Sequence, residues 1–500
     1  MVVNAEGQVF EVDMPAGSTA EDAIEKSGFQ LELIDKSDPP LYTVLTEGSQ
    51  VRLIRVVEEF IIEESTVSYT TEFLKNESLP EGEQRLIQAG VNGVQETTIR
   101  RVLEDGVEVS RSVVKTVIVT PAQPEIVMIG SQSPFAVLPI EGKLAYISAG
   151  NAWIMEENTG FRRPVVTTGD LDGRIFSLSP DGIWILYTRS EEDENIINSL
   201  WVSRIDGEDE LSFPLEVNNV IHFADWVPGS VNGVVFSTAE SNPSPPGWQA
   251  NNDLQFINFS ANGWVSQPRL SVTKSSGGVY GWWGMDFAWS PDGESLAYAR
   301  PDSVGLVNFE AKAIKAVYDL IPLQTRSDWA WIPEISWSPD GSFIYLVDHV
   351  PQEGLTSPEE SSLFNLAVLP SAGGVPVSIV TEAGMFAGPS PSPLYFLPNG
   401  QTGYKIIFLK AMNPTQSRSS GYELMIMDRD GSNQQLLFPP EGAAGLFPQK
   451  LLWEPFYPDN EVYLPKVVFV YQGNLWLYDL ISAEAQQITT DGLTTILDWK

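Results

Sequence analysis

Two residue classes in this sequence could do chemistry: acidic side chains at turns and aromatic rings in loops. Asp170-Leu-Asp172-Gly173 and Asp428-Arg-Asp430-Gly-Ser-Asn433 begin as a Ca²⁺-binding loop does, with carboxylates at alternate positions that can converge on one cation. Neither run continues with the Glu that closes such a loop, and Asp-Gly is equally the chemistry of a tight hairpin turn. Asp170, Asp172, Asp428 and Asp430 are therefore weak metal candidates beside a plain turn reading. Ca²⁺ is the one cofactor left open. Two carboxylates facing each other would suffice for glycoside hydrolysis, but no pair is singled out. The two histidines, His222 and His349, lie far apart in the sequence and read as structural or surface residues. There is no Gly-x-Ser-x-Gly elbow, His-Glu-x-x-His motif or phosphate loop. No catalytic residue is assigned, and the chain reads as a non-enzyme.

The aromatic residues are more informative. Fifteen tryptophans are present, and several fall between extended segments rather than within them. Tyr280, Trp282, Trp283, Trp329, Trp331, Phe386 and Phe447 all precede an apolar alternating run. Exposed rings of this kind stack on sugars or grip peptides; the competing reading is that they fill wedges between neighbouring sheets. These seven residues form the candidate ligand-binding set. Trp248, in Pro245-Pro-Gly-Trp248, is expected on the opposite rim.

The elements that must position these rings repeat. Phe287-Ala-Trp-Ser-Pro-Asp-Gly-Glu-Ser-Leu-Ala-Tyr298 is an alternating run, a Pro-Asp-Gly reversal and a second alternating run, which specifies two antiparallel strands. The unit recurs at Phe176–Tyr187 and Ile335–Val347. Degenerate copies sit at Phe223–Gly229, Leu394–Gly400 and Leu451–Asp459. A spacing of roughly 45 to 60 residues is one four-stranded propeller blade. Inner strands are expected at Ile175–Leu178, Phe223–Trp226, Phe287–Ser290, Ile335–Ser338, Leu394–Leu397 and Leu451–Trp453. Outer hairpins should turn at Glu157–Gly160, Ile205–Gly207, Ala261–Gly263, Ala372–Gly374 and Asp428–Asn433. The final run, Thr495–Lys500, lacks the turn that should follow it, and Lys143–Ile147 lacks a first strand. Joining the two completes one sheet and removes both free edges. The count is seven blades, with six as the fallback. Over residues 143–500 the pattern resembles the propellers of the TolB and WD40-like PD40 class, a fold that hosts many activities.

Before the repeats come two smaller modules. Residues 1–56 read as a hairpin turning at Glu6-Gly7 and a helix opened by a capping box at Ser18-Thr-Ala-Glu21 and ended by Gly28. Extended runs follow at Leu31–Ile34 and Gln50–Val57, a β-grasp order. The stretch resembles the ubiquitin-like repeats of bacterial surface proteins. Residues 57–130 are almost all alternating, with strands at Glu63–Phe73, Glu83–Gln88, Gly93–Leu103 and Val107–Val119. Reversals are expected at Asn92-Gly93 and Asp105-Gly106, and Gly82, Gly90, Gly93, Gly106 and Gly130 punctuate the run. The layout resembles a G5 domain, a module of bacterial surface adhesins and resuscitation-promoting factors that has been proposed to bind N-acetylglucosamine polymers. Its glycines are expected to shape turns. Residues 131–142, with Pro121–Pro124 before them, form a stiff linker. The fold class is thus mainly β: a β-grasp module, a G5 module and a C-terminal propeller.

Composition bounds the partners. A net charge of −37 over 500 residues disfavours nucleic acid and anionic membrane. The chain has no cysteine, which excludes disulfides and thiolate sites without fixing a compartment. No apolar run is long enough to cross a membrane as a helix. The two resemblances imply an extracytoplasmic bacterial setting, secreted or at the cell surface, with a leader or anchor N-terminal to this sequence. The expected function is non-catalytic binding of cell-wall polysaccharide or another surface protein through the aromatics at the channel mouth, with the G5 module as glycan binder or spacer. A carbohydrate-active enzyme with paired carboxylates and a structural or sensor ectodomain stay open as alternatives.

Overall fold

The computed structural model describes residues 1–76, 79, 83–130, 137–193, 195–206, 211–396, 402–455 and 465–500. Gly82, the Ser131–Pro134 linker and the turn ends at Gly207, Gly400 and Asp459 lie outside them. The chain forms two compact units, Met1–Lys75 with Glu81–Gly130, and Asn76–Pro80 with Ser131–Lys500.

In the first unit, β1 (Val2–Ala5), β2 (Gln8–Glu11), α1 (Ala20–Lys26), β3 (Lys36–Asp38) and β4 (Gln50–Ile54) follow in order, with sheet order β2-β1-β4-β3. β1 and β4 are parallel, and Ala20, Ala23 and Ile24 of the helix bury against Val3, Val51 and Leu53. This is the β-grasp arrangement. The capping box sits one residue later than expected. Thr19 is the N-cap, accepting Asp22 N–H at 3.3 Å while the Asp22 carboxylate accepts Thr19 N–H at 2.7 Å. Ser18 instead gives its hydroxyl to the Pro15 carbonyl. Leu31–Ile34 is not a strand, because the Asp35 carboxylate accepts Glu32 N–H and folds the segment into a turn before β3. Asp35 also accepts Val56 N–H and pairs with Arg55 at 2.7 Å. Burial pushes Asp35 up, but these donors outweigh it and hold the carboxyl below its ordinary value.

β5 (Val56–Val67), β6 (Thr71–Asn76), β7 (Gln84–Gln88), β8 (Gly93–Glu104), β9 (Val107–Thr120) and β10 (Glu125–Gly130) make two three-stranded sheets, β5-β8-β9 and β6-β10-β7. The Asp105-Gly106 reversal forms as expected, with φ of 47° and 83°. The strand expected from Glu63 to Phe73 breaks after Val67, and its two halves join different sheets. Asn92-Gly93 is not a reversal either. β7 and β8 belong to separate sheets, and the Asn92 side chain accepts Tyr69 N–H at 3.1 Å. A Cβ on Gly93 would stand 2.4 Å from the Thr120 carbonyl oxygen, and one on Gly90 would stand 2.3 Å from the Tyr69 ring. These two glycines allow close approach rather than a turn.

The second unit is a ring of antiparallel sheets. β11 (Pro139–Ser148) starts inside the stretch read as linker and pairs with β12 (Asn151–Val166). On its other side β11 pairs with the last strand, Thr494–Trp499, in the register Leu144↔Trp499, Ala145↔Asp498, Tyr146↔Leu497. The first and last strands of the second unit thus share one sheet, numbered sheet 1. Sheets 2 to 7 have four strands each, with inner strands Leu171–Leu178, Ala224–Trp226, Asp286–Trp289, Ile335–Trp337, Ser390–Pro391 and Leu452–Trp453. The Ser-Pro-Asp-Gly turns share one wiring. Ser179, Ser290 and Ser338 hydroxyls each donate to the Asp two residues on and accept the N–H five residues on. Gly182, Gly293 and Gly341 take φ of 66°, 72° and 72°, which explains glycine there.

Two expectations shift. The inner strand of sheet 6 is Ser390–Pro391, whereas Tyr395–Phe396 forms a small separate hairpin with Thr402–Gly403. Glu157–Gly160 lies within β12 as a kink, with Glu157 at φ 64° and the Asn158 side chain accepting Gly160 and Phe161 N–H. Apolar layers fill the spaces between sheets: Trp184, Leu186 and Val202 of sheet 2 meet Trp226, Val234 and Ile257 of sheet 3. Indoles link inner strands, Trp226 donating to the Ser177 carbonyl, Trp337 to Ala288 and Trp453 to Ser390, at 3.2, 2.9 and 2.8 Å.

Candidate functional site at the propeller channel and its mouth

In a sheet of four antiparallel strands, two kinds of connection leave at the same end: those joining the second and third strands, and those running from the outer strand to the next sheet. Tyr280, Trp282 and Trp283 lie in the connection into sheet 4, and Trp329 and Trp331 in that into sheet 5. Trp248 belongs to the hairpin Ala239–Ser241/Trp248–Ala250, between the second and third strands of sheet 3. It is therefore on the same rim as the others, not the opposite one. Its ring lies 4.9 Å from Trp283, and its N–H joins the His222 Nε2–H on the Trp283 carbonyl, at 3.1 and 2.8 Å. Burial pushes His222 down to about 4, so the ring is neutral with its proton on Nε2. Arg174 covers Trp248 at 5.1 Å, and Trp282 stands edge-on to Trp283. Tyr280, Trp282 and Trp283 are all half-buried.

The remaining rings separate. Trp331 is 2% exposed, donates its indole N–H to the Met385 carbonyl and packs edge-on to Phe364, so it is a core residue. Buried beside it, His349 has both ring nitrogens against carbonyl oxygens, of Ile321 at 2.8 Å and Ser361 at 2.9 Å. Phe386 is half-buried against Tyr422. Phe447 stands 80% exposed. Trp329 is half-buried with the Arg418 guanidinium over its face at 4.9 Å. Both line a cavity of about 330 Å³ whose floor is Phe364 and Met385 and whose rim carries Gln324, Thr325, Ser361, Ser362 and the 415–419 segment. Arg418 carries no sequence signal of its own, since its place over Trp329 depends on a contact between neighbouring sheets.

A second set of groups lines the channel. Asp286, Glu334 and Lys450 stand three residues before the inner-strand tryptophans Trp289, Trp337 and Trp453, and Asp225 and Asp498 stand one residue before Trp226 and Trp499. Positions one and three before the tryptophan share a face of an extended strand, and this offset is the signal that could have found them. Asp498 accepts Leu178 N–H at 2.8 Å, and Asp225 accepts the Ser177 hydroxyl at 3.3 Å. Asp286 accepts its neighbour's N–H, while Glu334 has no hydrogen-bond donor among the described residues. Asp286 retains open surface although protein surrounds it, as expected for the wall of a water-filled channel. That surrounding protein is the main cause that pushes Asp286 up to about 6 and Glu334 up to about 7, Asp286 adding to the latter. Asp225 is raised as well, and Asp498 raises Lys500.

The acidic turns are occupied by protein partners. Asp170 pairs with Arg189 at 2.8 Å, and Asp172 accepts Asn198 at 2.9 Å and the Thr188 hydroxyl. Asp428 pairs with Lys405 and Asn433, and Asp430 accepts Ser432. Among the described residues no three His, Cys, Asp or Glu side chains come together as a metal site. None of the described helices is long and apolar enough to cross a membrane.

A family model described as the G5 domain matches residues 58–132. The chain is 26% identical over 161 residues to resuscitation-promoting factor Rpf2 of Corynebacterium glutamicum, covering 32% of this chain and 42% of that protein. It thus spans less than half the length of that relative. Among solved structures, the IgA1 protease G5 domain is 28% identical, with 16% of this chain and 94% of that one covered and a TM-score of 0.14. The β-propeller domain of the Trilobed protease from Pyrococcus furiosus is 13% identical, with 85% and 97% covered and a TM-score of 0.39.

Proposed function

We propose that this chain is a non-catalytic, extracytoplasmic bacterial protein that binds cell-wall glycan at the mouth of its propeller channel, with the G5 module as spacer or auxiliary glycan binder. The observation that carries this reading is the cavity beside Trp329: an aromatic ring, an apolar floor and a rim of hydroxyl and amide groups. Sugars need that combination, because their axial C–H faces pack on rings while their hydroxyls require donors and acceptors. The G5 match and the similarity to a resuscitation-promoting factor support the cell-surface setting.

Titration with chitotetraose and with soluble peptidoglycan fragments tests it. Trp329→Ala should weaken retention about tenfold or more while the melting temperature changes little, since that ring is half-buried at a cavity edge. Unchanged retention by the variant overturns the proposal. A second reading, a carbohydrate-active enzyme, draws support from the two raised carboxyls, Asp286 and Glu334, in one channel. New reducing ends released by the native protein and lost in Glu334→Gln would replace the binding reading with that one.

A further inference from the structure

On the opposite end of the sheets, between sheets 3 and 4, a groove of about 420 Å³ is lined by Phe256, Trp289, Phe309, Arg269 and Lys312. The loops that form it are the first-to-second and third-to-fourth strand turns of sheet 4, which leave at the end away from Trp329. At this groove Trp289 departs from the bonding of Trp226, Trp337 and Trp453. Trp226, Trp337 and Trp453 each seal their inter-sheet gap by donating to the carbonyl of the preceding inner strand. Trp289, at the equivalent place, makes no such bond and instead lies parallel to Phe309 at 6.1 Å, with an interplanar angle of 19°. An aromatic wall therefore replaces a closed seam.

In a chain of net charge −37 most arginines are paired to carboxylates, yet Arg269 and Lys312 have no ion-pair partner among the described residues. Both are exposed at the groove, and Arg269 also covers the Phe256 ring at 5.9 Å. Glu294 is the one acidic lining residue. Two unpaired cations beside an aromatic plate provide for a ligand with one anionic group and one flat, partly apolar face. We propose that this groove binds acidic sugar, a carboxylate-bearing saccharide whose ring packs on Trp289 and Phe309 and whose carboxylate is held by Arg269 and Lys312. The site is independent of the Trp329 cavity.

The test uses the full chain carrying Trp329→Ala, so that the other rim is out of play. Calorimetric titration compares a glucuronate-containing hyaluronan tetrasaccharide with neutral chitotetraose and with tetraglutamate. The acidic saccharide should bind, weaken as salt is raised, and lose about tenfold or more in affinity when Arg269→Gln and Lys312→Gln are added. Because both side chains are exposed, the melting temperature should not move. Phe309→Ala should weaken the same ligand and leave its salt dependence intact. Absence of binding, equal binding of chitotetraose or tetraglutamate, or no effect of the double charge removal each overturns the proposal.

Discussion

Glu334 holds its carboxyl in the channel without a hydrogen-bond donor among the described residues, and the surrounding protein with Asp286 pushes it up to about 7 from an ordinary 4.5. Between those values the native state keeps a proton that the unfolded chain has released. The stability that this group contributes is therefore fully present below 4.5 and is lost as pH rises through about 7. Glu334→Gln removes the titrating group, so its melting temperature should match the native protein most closely near pH 4.5. The difference should then widen in the variant's favour up to about pH 7 and level off. Parallel curves for the two proteins would show an ordinary carboxyl. The residue was not legible beforehand, because its neighbours Asp286 and Gly388 come from the adjoining sheets.

At the scale of elements, the Ser-Pro-Asp-Gly hairpins were legible because every determinant lies within five residues, from the Ser338 hydroxyl to Phe343 N–H. Where another sheet decides, sequence reading failed. Ser390 rather than Leu394 marks the inner strand of sheet 6, since the Trp453 indole selects the Ser390 carbonyl from the next sheet. The face carrying Trp283 and Trp329 follows from antiparallel alternation alone, but the burial of Trp331 depends on Phe364 and His349. The same logic makes the inter-sheet indoles a common stabilising device. Trp337→Phe keeps an aromatic ring, trims the indole and leaves the Ala288 carbonyl without its donor, so the lost bond should add about 1 kcal/mol to the cost in urea unfolding. Trp289→Phe removes no such bond and should cost less. Equal losses would mean that indole packing, not the N–H, does the stabilising.

The whole molecule depends on how its second unit begins and ends. The pairing of Thr494–Trp499 with β11 was expected from two incomplete runs, one lacking a turn and the other a first strand, and the register Leu144↔Trp499 realises it. Four further bonds lock the strand. The Asp498 carboxylate accepts Leu178 N–H, the Trp499 indole donates to the Glu141 carbonyl at 2.7 Å, and Lys500 exchanges backbone bonds with Lys143. Deleting residues 494–500 strips the buried Leu497 and Trp499, worth about 1.5–3 kcal/mol each, and bares the edge of β11. The truncated chain should melt several degrees lower and associate through that edge, which light scattering would register as growth in mass with concentration. Adding the peptide Thr494–Lys500 should reverse both effects, because the vacated strand position has a fixed register and four β11 residues, Leu144 to Ile147, ready to be covered. A truncated protein that melts as the native one does and remains monomeric would mean that the ring is held by contacts between neighbouring sheets, with the terminal strand contributing little.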